Sequence, residues 1–307
     1  MKRKMIHLGF EVGTGAVVEV PLHHMIVVGT SGLSGKTTAL DAIIHRSGLK
    51  ALVFKTKRGE GDFTDEIPHG PFYKERTDWE YVEGILEASM QEKMRFERPW
   101  LIKVCRGART LSEVSERVKA ILKELREKNK EDTLRGSVYT SLDAYFDKVI
   151  PALGAVRFTN TLSLQHVGVH VMNLIGMPDE VQSLVIASSL DELYRHGRDT
   201  IVVLPEAKKH LPQGRNSPVK VILGKFISEG RAVNNWLFAD SQDLAGLDKP
   251  PLKIVDNWLL GRVKEINEVE HFIKQGPRPK PKPDDFMKLG LGQFYAVCDD
   301  KVTLTYV

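Results

Sequence analysis

Residues 5–20 alternate apolar and polar positions around Gly13, Thr14 and Gly15, the period-two pattern of a β-hairpin. Met25, Ile26, Val27 and Val28 form a short β-branched run. A Gly/Ser-rich stretch at 29–35 follows, and a helical pattern begins at Lys36. Residues 51–54 predict a second buried strand, followed by a charged loop at 55–62. Residues 78–97 carry Trp79, Val82, Ile85 and Leu86 at helical spacing. The run 101–105 predicts a short strand. Residues 111–130 predict an amphipathic helix with Leu111, Val114, Val118, Ile121, Leu122 and Leu125 on one stripe. Residues 135–155 predict another helix.

Strands are predicted at 167–174, 200–204, 236–239 and 257–260, with helices at 178–196 and 217–230. Pro178 in the first turn and Asp179 and Glu180 near the positive end suit the helix at 178–196. Residues 276–283 alternate Pro with Arg and Lys and predict a stiff polyproline-like loop. Residues 293–307 predict a terminal hairpin. Strands alternating with helices indicate an α/β fold: a mostly parallel sheet with helices on both faces.

The 307 residues are 42% apolar and 27% charged, a globular balance that excludes a disordered tail, a fibre or a disulfide scaffold. No apolar run reaches about 18 residues, so no transmembrane helix is expected. The N-terminus is basic, but Glu11 breaks the apolar stretch after it, so no secretory leader is expected. Cys105 and Cys298 stand alone and suggest buried thiols in a reducing cytoplasm. The net charge is +4, yet residues 91–135 alone hold 13 Lys and Arg against 8 Asp and Glu. That excess fits either a surface for nucleic-acid phosphates or a solvated helix face.

Thr30, Ser31, Gly32, Leu33, Ser34, Gly35, Lys36, Thr37 and Thr38 lie between a strand and a helix and approach the pattern G-x-x-x-x-G-K-[ST]. Thr30 stands where the pattern has its first Gly, with Gly29 just before it. Glycines let backbone N–H groups converge on phosphate oxygens, and a helix start adds a positive end. Lys36 would meet the β- and γ-phosphates of ATP, and the Thr37 hydroxyl would ligate Mg²⁺. The plainer reading is a strand–helix loop with an incidental Lys.

Glu206, at the end of the apolar strand 200–204, could polarise a water for attack on the γ-phosphate. Pro205 occupies the place where such sites usually carry a Mg²⁺-directing Asp, leaving Asp240 or Glu60 as possible helpers. Gln242 could sense the γ-phosphate. Arg231 or Arg262 could reach a neighbouring subunit's site as an arginine finger, or simply form a surface ion pair.

Together these motifs resemble the ATPase core of the HerA/FtsK superfamily, closest to the HerA type. The carrying segments are HMIVVGTSGLSGKTT at 24–38, KRGEGD at 57–62, IVVLPEAKKHLP at 201–212, EGRAVNNWLFADSQ at 229–242 and NWLLGRV at 257–263. The resemblance implies a RecA-like P-loop NTPase core formed by residues 1–62 and 165–307, with 63–164 as a mostly helical insertion. It implies a homo-hexamer with ATP sites at subunit contacts and duplex DNA, bound without sequence preference, in the channel. Lys36 and Thr37 would bind nucleotide and Mg²⁺, Glu206 would be the catalytic carboxylate, Gln242 the sensor, and Arg231 or Arg262 the trans-acting arginine. Thr30, Pro205 and Lys55 depart from the pattern. About 25 residues precede the phosphate loop, too few for the N-terminal barrel of full HerA proteins.

The first functional expectation is therefore an ATP-driven pump for duplex DNA, with a nuclease or a viral or plasmid protein as partner. The second is a degenerate ATPase that binds nucleotide as an assembly or scaffold subunit. The third is a small-molecule P-loop kinase, which would leave the Gly-Arg and Ser-Gln motifs without a task.

Overall fold

A hairpin opens the chain: β1 (Met5–Glu11) and β2 (Val17–Pro21) are antiparallel. Gly13 and Gly15 supply the positive φ of its turn, at 97° and 70°. The computed structural model describes residues 4–307 except 60, 91–92, 95, 212, 215–216, 243–246, 248, 265–281 and 300. Most of the expected polyproline-like segment at 276–283 therefore lies outside the described residues.

The remaining strands are β3 (Met25–Val28), β4 (Lys50–Lys55), β5 (Ile67–His69), β6 (Gly168–Asn173), β7 (Thr200–Leu204), β8 (Asn235–Ser241), β9 (Asn257–Leu260), β10 (Gln293–Cys298) and β11 (Lys301–Tyr306). They form one sheet of order β2-β1-β11-β10-β9-β3-β8-β7-β4-β6-β5. From β9 to β5 every neighbouring pair is parallel; the β10–β11 and β1–β2 hairpins add an antiparallel wing. The parallel strands read as unbroken apolar runs because both faces are covered: β3, β7, β8 and β9 are buried at every position.

Helix α1 (Lys36–Ser47) packs on one face, where Ile43 and Ile44 share a core with Val27, Val53 and Phe238. The other face carries α2 (Trp79–Met90), α6 (Asp179–His196) and α8 (Pro218–Gly230). This arrangement is the α/β class that the alternating pattern predicts. Val82, Ile85 and Leu86 of α2 share a core with Leu184 and Leu190 of α6 and Phe226 of α8. Helices α3 (Arg98–Cys105), α4 (Leu111–Glu127) and α5 (Leu134–Gly154) extend that layer.

The expected strand at 101–105 is instead part of α3. Leu101, Val104 and Cys105 are buried while Lys103 is exposed, a helical rather than alternating pattern. Pro99 sits in the first turn, where its missing N–H costs nothing. Arg98 then fixes α3 to α2 with a two-pronged pair to Glu83, at 2.7 and 3.1 Å. Short α-helices among the described residues include α7 (Ala207–His210), α9 (Lys249–Leu252) and α10 (Pro283–Met287). Both cysteines are free thiols; Cys105 is buried, which pushes its thiol up to about 12. Among the described residues no helix is long and apolar enough to cross a membrane.

Candidate functional site

The C-terminal ends of the parallel strands converge on the loop between β3 and α1. Parallel α/β sheets place ligands at this edge. A cavity of about 320 Å³ opens there, lined by Ser31, Gly32, Ser34, Gly35, Lys36, Thr37 and Thr38 from the loop and first turn. Leu40, Lys57, Gly59, Gly61, Phe63, Pro205, Glu206, Asp240 and Leu291 complete the wall.

Two glycines of the loop, Gly32 and Gly35, adopt left-handed φ of 72° and 75°. Gly29 is required for a different reason. A Cβ there would stand 2.7 Å from Ser34 Oγ and 2.8 Å from Ser34 Cβ. Thr30 has room for its side chain, whose Oγ1 accepts a hydrogen bond from Lys264 N at 3.2 Å. The close-packing glycine is thus Gly29, one residue earlier than the motif places it. Thr30 and Leu33 do not line the cavity.

Lys36 is 6% exposed, and its ammonium donates to Gly29 O at 2.8 Å. Burial pulls its pKa down, opposed by Asp240 and Glu206. Asp240 Oδ2 lies 4.0 Å from Lys36 Nζ, and Asp240 Oδ1 accepts the Glu206 N–H at 2.5 Å. Burial pushes the Asp240 carboxyl up to about 6, against the pull of Lys36 and of that N–H. The Glu206 carboxylate accepts from Gln242 Nε2 at 2.6 Å and lies 3.3 Å from Lys57 Nζ. Glu206 itself is held at a φ of 49°, a strained conformation for a residue with a Cβ.

A buried clamp holds these pieces. Gln182 of α6 donates to Leu174 O, Met177 O and Thr56 O, joining the ends of β6 and β4. Its Oε1 accepts from Lys209 of α7 at 2.9 Å, and Lys209 N donates to Glu206 O at 2.8 Å. Lys55, the third departure from the motif, does not line the cavity. Burial works against its charge, but Asp62 and Glu66, at 2.6 and 2.5 Å, outweigh it and raise its pKa.

The two arginines fall at opposite ends of the parallel strands. Arg262 follows β9, is half-buried, and its carbonyl accepts from Thr30 N at 2.8 Å. Arg231 precedes β8, whose seven residues span about 20 Å. It therefore cannot reach the cavity of its own chain. It pairs with Asp256, which also meets His23 at 2.9 Å. Glu60 lies outside the described residues.

The donors suit Mg²⁺ with a phosphate ligand. Thr37, Asp240 and Glu206 offer hard oxygens to one cavity. Among the described residues no cluster of three or more His, Cys, Asp and Glu could hold a metal unaided. Mg²⁺ is normally completed by substrate phosphates and water, so a full protein cage is not needed.

Over nearly its whole length the chain superposes on VirB4 of Thermoanaerobacter pseudethanolicus, with a TM-score of 0.74, 14% identity, and coverage of 98% of this chain and 96% of that one. The fold is the α/β fold of RecA-like P-loop ATPases. The bacterial conjugative coupling protein TrwBdeltaN70 shares this P-loop ATPase fold, with a TM-score of 0.62 and 12% identity, covering 94% of this chain and 86% of that one. No family model and no curated protein matches the sequence. The RecA-like core expected from the motifs is thus present in three dimensions at identities where sequence comparison finds nothing.

From the sequence, Asp240 is only a possible helper, and nothing marks Lys57 or Leu291 for the cavity they line. Asp240 carried a signal: an acid ending the apolar run Trp236 to Ala239. Leu291 carried none, since only the return of β10 beside β9 brings it to the phosphate loop.

Proposed function

We propose that the chain is an ATP-hydrolysing motor subunit that moves duplex DNA, working in a ring of six copies. The observation that carries this reading is the joined set Lys36, Asp240, Glu206 and Gln242 at the mouth of the phosphate loop. Lys36 and the loop N–H groups would hold the triphosphate. Thr37 and Asp240 would hold Mg²⁺, which would neutralise charge on the phosphates. Asp240 thereby takes over from Pro205 by register: Leu204 pairs with Ala239, so the next step across the sheet faces Pro205 with Asp240. Glu206 would accept the proton of the attacking water, and Gln242 would report the γ-phosphate through its bond to Glu206.

Arg231 would act on a neighbouring copy, because its own cavity is out of reach. Arg262, beside the phosphate loop, would answer to the nucleotide of its own chain or the next. DNA would be held through phosphates, with strong salt dependence. Lys103 and Arg135, which flank the Trp100 ring at 4.4 and 5.9 Å, are the candidate contacts in the helical insertion. Many other cations there are already paired, such as Lys119 with Asp147 and Lys128 with Glu124. A repair, packaging, transfer or defence partner, such as a nuclease, would set the biological context.

A second reading, a nucleotide-binding scaffold without turnover, draws support from Glu206 being engaged by both Gln242 and Lys57. ATPase activity with and without duplex DNA, on a sample of measured mass, separates the two. A motor gives DNA-stimulated turnover in a multimer; a scaffold binds ATP and releases no phosphate in either condition.

A further inference from the structure

The turn Gly290, Leu291 and Gly292 between α10 and β10 projects an apolar side chain over the phosphate loop. Leu291 is 67% exposed, yet its backbone is fixed. Gly292 N donates to Ser34 O at 3.3 Å, Val307 N donates to Gly292 O at 3.0 Å, and Gly290 N donates to Gln293 Oε1 at 2.8 Å. Gly292 takes a φ of 77° to close the turn. Phe286 and Leu289, both buried, anchor the segment that leads into it. A Cβ added to Gly35 would stand 3.4 Å from Leu291 Cδ1.

A single exposed leucine is ordinary. This one lines the same cavity as Lys36 and is held there by a pinned turn. Strand order places it on a definite side. Asp240 and Glu206 end β8 and β7, on one flank of β3; Leu291 leads into β10, on the other flank beyond β9. With the terminal phosphates drawn to the acidic flank, the uncharged part of a nucleotide would leave along the opposite flank. An apolar surface held rigid before binding gains contact there without an ordering cost.

We propose that Leu291 is the seat for the nucleoside portion, base and ribose, of the bound nucleoside triphosphate. The inference rests on the reading of this cavity as a nucleotide site. It makes Leu291 a binding residue that separates a nucleotide from a bare polyphosphate.

The test is equilibrium binding of AMPPNP and of inorganic tripolyphosphate, each with Mg²⁺, to wild type, Leu291→Ala and Leu291→Met. Losing most of a buried leucine contact should weaken AMPPNP about tenfold in Leu291→Ala. Tripolyphosphate affinity should not change, and Leu291→Met should restore AMPPNP binding. Unchanged AMPPNP affinity in Leu291→Ala would overturn the proposal. Equal loss of both ligands would overturn it too, since the turn would then merely prop the phosphate loop. A wild type that binds tripolyphosphate as tightly as AMPPNP refutes the nucleoside seat alone. A wild type that binds neither removes the nucleotide reading itself.

Discussion

Gln242 donates from Nε2 to Glu206 Oε1 at 2.6 Å, joining the ends of two neighbouring strands, β8 and β7. The bond leaves Glu206 Oε2 as the freer carboxylate oxygen and fixes the rotamer of the group expected to take a proton. Gln242→Ala should therefore keep nucleotide affinity and lower the turnover rate by about tenfold or more, the range of a lost positioning contact. Parallel measurement of Kd and kcat checks it. An equal loss in both would place Gln242 in binding instead.

Glu206 sits at a φ of 49°, where a side chain carries a strain of about 1–2 kcal/mol that glycine avoids. Glu206→Gly and Glu206→Ala both remove the carboxylate, so their difference isolates the backbone. Glu206→Gly should be more stable than Glu206→Ala by about 1 kcal/mol in urea unfolding. Equal midpoints would mean the turn relaxes once the carboxylate is gone.

Asp240 is an acid whose pKa rises on folding, from 3.8 to about 6. Between those values the native state holds the proton that the unfolded chain has lost. The contribution to stability is full at low pH and is lost as pH rises through about 6. Asp240→Asn cannot titrate. Its stability relative to wild type should climb between pH 4 and pH 6 and then level, by up to about 3 kcal/mol. Unfolding midpoints across that range check the slope, and Mg²⁺-dependent nucleotide binding by the same variant should weaken.

Much of this architecture is legible in the residues. The hairpins, α4 and α6 announce themselves by their period, and the buried strands as β-branched apolar runs bounded by turn or helix signals. The failure at 101–105 has a specific cause. Leu101, Ile102, Val104 and Cys105 make a short apolar run, and a run that short does not reveal its period. The burial of Leu101, Val104 and Cys105 gives it away only after folding. β5 was unreadable for another reason: three residues with Pro68 at the centre give no strand signal, and only the edge position beside β6 tolerates them. In the site, Lys36 and Glu206 were visible through motif and strand end. The role proposed for Asp240 beside Pro205 depends on lateral register, which sequence order does not display.

Gly29 meets the need for a glycine that the usual motif would place at Thr30. Gly29→Ala drives its Cβ onto Ser34, a buried side chain with little room to move. The substitution should cost about 1–3 kcal/mol, as overpacking does. It should also weaken nucleotide binding, since Ser34 belongs to the loop. Thr30→Gly, by contrast, should leave the loop's affinity for nucleotide nearly intact. Denaturant titration and nucleotide binding on the two variants decide which residue the loop requires.

If Lys36 grips a triphosphate that Glu206 then turns over, AMPPNP binding and steady-state phosphate release will separate the two roles in wild type, Lys36→Ala and Glu206→Gln with Mg²⁺ and duplex DNA. Lys36→Ala should lose binding, and Glu206→Gln should bind as wild type does while releasing almost no phosphate. Hydrolysis by Glu206→Gln at the wild-type rate, or undiminished AMPPNP binding by Lys36→Ala, would contradict this division of roles.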